Sequence, residues 1–396
     1  MTSSQYDIVT VGGGLGSSAL ARSMAEKGYR VLIIEREREF KDRVRGEYMT
    51  PWGVAEAKSL GIYELIRDSC GIDATHVNMG FGPRDLTATT AQKLPALGFY
   101  HPAMQEVLLE SAVKAGAELK RGATVVNVSS DQPCLATYQD SEGTHEVTAR
   151  LIVAADGRTS AARKWGGFAL KEVRQPFYFA GLLLEGVTAP TNHTFLLFLP
   201  PLARCTALTP AGNGRTRAYV AYPDDAGFRL QGEECVRQFL IEAKKAELVS
   251  DYLENSHSIG PLASFRCGDF WVDHPYAKGI ALIGDAASTS DPAFGQGLAT
   301  AVRDVRVLRD NLLATNNWDE AGNAYAVEHD RYAAVVRKVE QWFRAVFLEQ
   351  GVAADARRAR VFPLVAEDET RVPDHLMSGP ELPSDESVKR RFFGEA

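Results

Sequence analysis

The sequence is poor in paired cysteine, in excess positive charge and in long apolar runs, and each shortage excludes something. Its 5 cysteines, at positions 70, 134, 205, 235 and 267, include no CxxC pair. Thiols scattered in this way offer neither a zinc site nor a disulfide framework, so no metal is expected. Acidic side chains outnumber basic ones, 51 to 44, which removes the electrostatic footprint of a nucleic-acid binder. The longest apolar stretch, Thr194 to Ala203, is interrupted by Pro200 and Pro201 and is too short to span a bilayer. Met1 to Tyr6 is polar and uncharged, without the basic and apolar regions of a signal peptide. A cytoplasmic protein is expected, with no nucleic-acid partner and no membrane span.

What is present is a chain of 396 residues, 45% hydrophobic, long enough for two domains or one domain with an insertion. Asp7 to Val11 reads as a buried strand that runs directly into Gly12-Gly-Gly-Leu-Gly-Ser-Ser18 and a helical stretch. A second apolar strand, Arg30 to Ile34, ends at Glu35. This is the strand, glycine turn, helix, strand order of a Rossmann unit. Gly12 suits the tight turn, Gly14 admits a pyrophosphate, and Leu15 and Gly16 open the helix whose N–H groups face it. Ser17 stands where the fingerprint has its third glycine, a small residue that still permits close packing. Glu35, with Arg36 beside it, is placed for the adenosine ribose; its charge disfavours a 2′-phosphate, so FAD or NAD is expected and NADP is not.

Two later segments decide between them. Leu151 to Ala154 is an apolar strand followed by Ala155-Asp-Gly-Arg158, and Gly279 to Ile283 leads into Gly284-Asp285, with Asp291-Pro-Ala-Phe-Gly-Gln-Gly297 opening a helical stretch. The order of these motifs, near residues 12, 156 and 285, resembles the FAD-dependent class A flavoprotein monooxygenases of the para-hydroxybenzoate hydroxylase type. The resemblance covers most of the chain and departs at Ser288, where many relatives carry histidine.

The resemblance implies an α/β fold. A Rossmann-like FAD-binding domain (1–76, 100–170 and 275–315) would carry an inserted, mostly antiparallel β-sheet substrate domain (77–99 and 171–274). A C-terminal helical segment and tail (316–396) would follow. It implies that Asp156 and Gly157 serve the cofactor, that Gly284 and Asp285 hold the ribityl chain, and that Pro292, Gly295, Gln296 and Gly297 lie beside the isoalloxazine. Arg45 in the Arg43 to Glu47 segment and Gln105 are carried over as further FAD contacts. Arg45 and Pro292 are the candidates for a direct catalytic part. The cofactors implied are tightly bound, non-covalent FAD and a transient NADPH or NADH. O₂ would add at flavin C4a, and the hydroperoxide would insert one oxygen atom into an aromatic or polyunsaturated small molecule. A monomer or homodimer is expected.

Phe195 and Phe198 are candidates to line the substrate cavity or else ordinary core aromatics of their strand, and His76, Tyr100 and His101 lie near candidate cavity segments, none of them singled out as a base. Tyr325 through Phe347 carries aromatic and apolar residues at three- and four-residue spacing, a long amphipathic helix. The polar tail, Pro373 to Ala396, reads as loosely packed. Alternative readings are an ene-reductase of the geranylgeranyl reductase type, a flavin-dependent halogenase, against which the absence of a WxWxIP segment argues, and a flavin-bearing sensor without turnover.

Overall fold

The computed structural model describes residues 5–131 and 133–396; the Met1 to Ser4 part of the polar start lies outside the described residues. The expected α/β architecture is present, with sheets of 8, 9 and 3 strands. In the first sheet, parallel strands run in the order Ile280–Leu282, Gly143–Ala154, Tyr6–Val11, Val31–Glu35, Glu118–Arg121. Tyr6–Val11 is paired on both sides, which is why Ile8 to Val11 are all buried and do not alternate. Gly143–Ala154 has two characters. Its outer half pairs antiparallel with Cys134–Asp140, whereas Leu151–Ala154 is fully buried and lies parallel to Ile8–Val11.

The C-terminal ends of these strands are held level. Gly12 N–H donates to Ile34 O at 2.8 Å, Ala155 N–H to Val11 O at 3.0 Å, and Ile283 N–H to Ala154 O at 3.0 Å. The three motif-bearing turns therefore leave the sheet along one edge, where open α/β sheets take their ligands.

The second sheet is antiparallel except where His193–Phe195 runs parallel to His76–Asn78. Its strands alternate. Leu182, Leu184, Leu208 and Val220 face a helix, Val236–Lys244, through Phe239 and Ala243, while Phe179, Ala207 and Tyr219 face the other way, toward the first sheet's motif edge. A small third sheet joins Tyr48–Met49, Ala96–Phe99 and Gly71–Ala74.

The expected amphipathic helix is observed over Trp318–Phe347, with Asn317 as its N-cap accepting from Glu320 N–H at 3.3 Å. Tyr325, Tyr332, Val339, Phe343 and Val346 are buried along one stripe, so the aromatic face belongs to the core. The loosely packed tail is overturned. His375–Ser378 and Glu386–Phe392 are helical, and Leu376, Met377, Phe392 and Phe393 are buried. Phe392 packs tilted against Phe343 at 5.4 Å between ring centroids, and Arg84 grips Asp374 through two bonds of 2.6 and 3.0 Å. A few apolar anchors and one bidentate ion pair outweigh the polar composition. Among the described residues, no helix is long and apolar enough to cross a membrane, and all five cysteines are free.

Candidate active site

One cavity of about 730 Å³ runs along the motif edge of the first sheet and continues onto the inner face of the second. Gly12, Gly14, Leu15, Gly16, Glu35, Arg36, Arg45, Gln105, Asp156, Gly157, Gly284, Asp285, Pro292, Gly295, Gln296 and Gly297 all line it. Residues up to 285 positions apart are brought together because each sits at a strand end or helix start.

At one end the backbone makes the wall. Gly12 has φ +98°, and a Cβ there would lie 2.8 Å from Ala155 O, so only glycine serves. Gly13 N–H donates to Glu35 Oε2 at 2.5 Å and Glu37 N–H to Oε1 at 2.7 Å. Both carboxylate oxygens are thereby aimed, each with a second lone pair still available to a ribose hydroxyl. The Leu15–Ala25 helix forms its first intrahelical bond from Ser18 N–H to Gly14 O at 3.0 Å, so the N–H groups of the preceding turn point to the cavity with the positive end of the helix dipole. Ser17 is wholly buried, in keeping with its small size. Gln105 Nε2 reaches over Gly14, 3.6 Å from where a Cβ would stand.

Farther along, Asp156 Oδ2 accepts from Ala161 and Ala162 N–H at 2.8 and 3.1 Å, while Oδ1 is buried without a partner among the described residues. Arg45 Nη1 stands 3.8 Å from Asp285 Oδ2, both half exposed, a loose contact of little stabilising value. Behind Asp285, Gly284 N–H donates to Asp304 Oδ2 at 2.7 Å, and Tyr332 OH bonds its other oxygen. Asp304 is wholly buried, and that burial pushes its carboxyl up to about 6. Sequence reasoning missed this anchor, because Gly284, Asp304 and Tyr332 share no local pattern. Ser288, at the histidine position of relatives, has its Oγ 3.3 Å from His329 Nε2 on the long helix.

The Asp291–Gly297 turn is tightly specified. Asp291 accepts from Ala293 N–H at 3.0 Å, and Gly295 takes φ +66°. Gln296 lines the cavity, yet its side-chain amide is engaged elsewhere, with Trp52 Nε1 at 3.0 Å, Phe294 O at 2.7 Å and Leu376 O at 3.2 Å. The Gly297–Ala314 helix begins at the turn and aims its N-terminus into the cavity. An anion at that place gains roughly 0.3–1 kcal/mol from the helix dipole.

The other end is a chamber made by side chains. Leu196, Ala207 and Tyr219 lie side by side on adjacent strands, and Phe179 and Phe265 form a neighbouring pair. Thr194, Thr209, Val77, Phe294 and Met377 complete it. Of the expected aromatics neither lines the chamber. Phe195 points to the opposite face, beside Tyr252 at 5.6 Å, and Phe198 is packed between Phe294 and Phe347. Nor does His76, stacked on His193 at 4.7 Å, or Tyr100, under the Arg215 guanidinium. His101 does reach the cavity, donating from Nδ1 to Gly46 O at 2.8 Å; burial lowers its pKa to about 4, so the ring is neutral near pH 7.

The Arg43–Glu47 segment joins the two ends. Val44 has φ +53°, a costly conformation for a β-branched residue. It is pressed against Gly181, where a Cβ would stand 2.3 Å from Val44 Cγ1. Tyr219 OH donates to Arg45 O at 2.8 Å. Glu47 and Arg217, both wholly buried, are joined at 2.6 and 3.1 Å, and Arg217 also holds Asp42 at 2.7 Å. Burial lifts the Glu47 carboxyl above its ordinary value, with Arg217 opposing. Removing Arg217 would leave the Glu47 and Asp42 carboxylates together in the core without their countercharge.

Comparison with known proteins bears on the family and the fold. Residues 5–343 match the family described as FAD binding domain. Digeranylgeranylglycerophospholipid reductase of Methanocella arvoryzae is 26% identical, over 85% of this chain and 83% of the relative. The 3-demethoxyubiquinol 3-hydroxylase of Escherichia coli K12 is 25% identical, over 83% and 84%. Squalene monooxygenase of Mus musculus is 24% identical over 77% of this chain, which spans only 54% of that relative. Among solved structures, p-nitrophenol 4-monooxygenase PnpA of Pseudomonas putida superimposes with TM-score 0.76 at 19% identity, over 94% and 96% of the two chains. The fold is that of the FAD-dependent flavoprotein monooxygenases. The chain belongs to the FAD-binding domain family, and its cofactor is FAD.

Proposed function

We propose that this flavoprotein inserts one oxygen atom from O₂ into an apolar aromatic or polyunsaturated small molecule, using NADPH or NADH as the electron donor. One observation carries the reading: a glycine-lined cofactor cradle opens, without a partition, into a chamber walled by Phe179, Leu196, Ala207, Tyr219 and Phe265. FAD, once bound and reduced, supplies the activation of O₂.

The chain's own residues do the rest. Gly12, Gly14, Leu15 and Gly16 cradle the pyrophosphate, and Glu35 and Arg36 hold the adenosine end. Gln105, Asp156, Gly157, Gly284 and Asp285 hold the middle, with Arg45 facing Asp285. Gly295 and Gly297 would present bare backbone to the ring, Pro292 would pack beside it, and Gln296 would contribute through its backbone because its amide is already bonded. The Gly297 helix N-terminus would favour negative charge on a ring bound there. The aromatic walls exclude water and orient the substrate by shape. Arg45 and Pro292, at the junction of cradle and chamber, are the residues nearest to a direct part.

The test is the rate of flavin bleaching by NADPH and by NADH, with and without a panel of phenols, quinols and polyenes, followed by product mass. Substrate-stimulated bleaching with a product heavier by one oxygen is expected. A product gaining only hydrogen would replace the reading with a reductase, a halogenated product with a halogenase, and no bleaching with a flavoprotein that takes its electrons elsewhere or none.

A further inference from the structure

Beneath the Asp291–Gly297 turn, on the side away from the cavity, three carboxylates and one guanidinium are buried together. Asp269, Asp291, Glu340 and Arg344 are each less than a tenth exposed. Arg344 is committed to the aspartates, donating to Asp291 Oδ2 from Nη2 at 2.8 Å and from Nε at 3.2 Å, and to Asp269 Oδ2 at 3.4 Å. Glu340, one helical turn before Arg344, has no ion pair among the described residues. Its Oε2 accepts from Asp291 N–H at 3.3 Å, and its Oε1 has no partner there.

A small void of about 10 Å³ adjoins it, lined by Glu340, His375, Gln296 and the valines of the long helix. His375 is buried and bonds Leu382 O through Nε2 at 3.1 Å, which makes Nε2 the protonated nitrogen. Its Nδ1 is then an acceptor, buried and unpartnered among the described residues. Two orphaned polar atoms thus belong to residues that line one void whose size is at the lower limit for a single water.

We propose that Glu340 is a neutral, protonated carboxylic acid that positions the Asp291–Gly297 turn, and that one buried water in the void joins its Oε1 to His375 Nδ1. Both orphaned atoms gain a partner. Asp291 N–H donates to Oε2, the acid proton on Oε1 goes to the water, one water proton goes to Nδ1, and Nε2–H goes to Leu382 O. No net charge enters the core at that point. An ionised Glu340 would instead be a third buried anion against a single bonded guanidinium, which interiors do not tolerate. The charged groups facing Glu340 are Asp269 from its strand, Asp291 from the turn, and Arg337 and Arg344 from its own helix; His375 faces it from the C-terminal segment. Burial first, then Asp269 and Asp291, hold its carboxyl well above the usual range, and burial lowers His375. Glu340 is a positioning residue, because it meets the turn only through the Asp291 backbone. Its effect on the cofactor rests on the turn facing the flavin; its protonation state does not.

The test is infrared difference spectroscopy of wild type against Glu340→Gln, in FAD-loaded and in FAD-free protein, with hydrogen exchange at residues 291–297. A protonated-carboxyl band in wild type that persists to pH 8 and is absent from E340Q is expected in both forms. Gln reproduces both bonds, so E340Q should keep wild-type exchange and FAD retention. Glu340→Leu, which makes neither bond, should raise exchange and the FAD dissociation constant by about tenfold. An ionised-carboxylate signature in the difference spectrum, or wild-type exchange in E340L, overturns the proposal. His375→Ala reads the same link from its other end: the carboxyl band must shift when the water loses its acceptor, and an unshifted band removes the water. A carboxyl band with no change in FAD retention would leave Glu340 neutral and refute only its coupling to the cofactor.

Discussion

The two ends of the cavity are built by opposite means. At the cradle the wall is backbone: Gly12, Gly14 and the N-termini of two helices, with Glu35 oriented by backbone N–H groups. In the chamber it is side chains taken from alternate positions of separate strands, Phe179, Leu196, Ala207, Tyr219 and Phe265, with Met377 from the C-terminal segment. Backbone geometry admits few substitutes, whereas side chains on a sheet face can be exchanged with the sheet intact. The cradle should therefore be intolerant and shared, and the chamber tolerant and specific to the substrate.

Substitutions at the two ends should separate cleanly. The largest effect is expected from Gly12→Ala, which places a Cβ against Ala155 O in a left-handed conformation. A loss of roughly 2–4 kcal/mol and recovery of FAD-free protein from gel filtration are expected; an FAD-loaded variant with wild-type Tm would break the contrast.

Asp304 comes next, since it holds the Gly284 turn from below. Its folded pKa of about 6 exceeds the unfolded value of about 3.9, so the folded state binds the proton more tightly. Its stabilising contribution is complete below about pH 4 and is lost as pH rises to about 6. Across that window wild type should lose on the order of 2–3 kcal/mol relative to Asp304→Asn. Urea unfolding at both ends of the window measures it, and a pH-independent difference would contradict the assignment.

In the chamber, Leu196→Trp should leave FAD content unchanged and raise the KM of the substrate by about tenfold or more through lost volume. FAD loss in this variant would show that the two ends are not separable. The smallest effect is expected at Thr194, whose buried hydroxyl has no partner among the described residues. Thr194→Val should stabilise the fold by up to about 1 kcal/mol, or be neutral, with FAD retained; a marked destabilisation would mean that the hydroxyl is bonded.

The same contrast explains what the sequence disclosed. Gly12 and Glu35 are 23 residues apart, and the Asp156 and Asp285 turns each follow an apolar strand, so the cradle is written in local signals. The chamber is not. Alternation shows that Phe195 and Leu196 face opposite ways, but it does not tell which face is inward, and Leu196 is the one that lines the cavity. Phe198 has the right parity and lies one pair too far along its strand. Met377 was hidden by the polar composition around it, and the Gly284, Asp304 and Tyr332 link and the Val44 contact with Gly181 exist only once distant segments have packed.

Oxygen insertion is tested most directly by turnover under isotopically labelled dioxygen, with the product weighed. One labelled oxygen atom is expected in the product and none taken from water. A product that gains two hydrogens and no label would contradict it, and would make the same cradle and chamber those of a reductase.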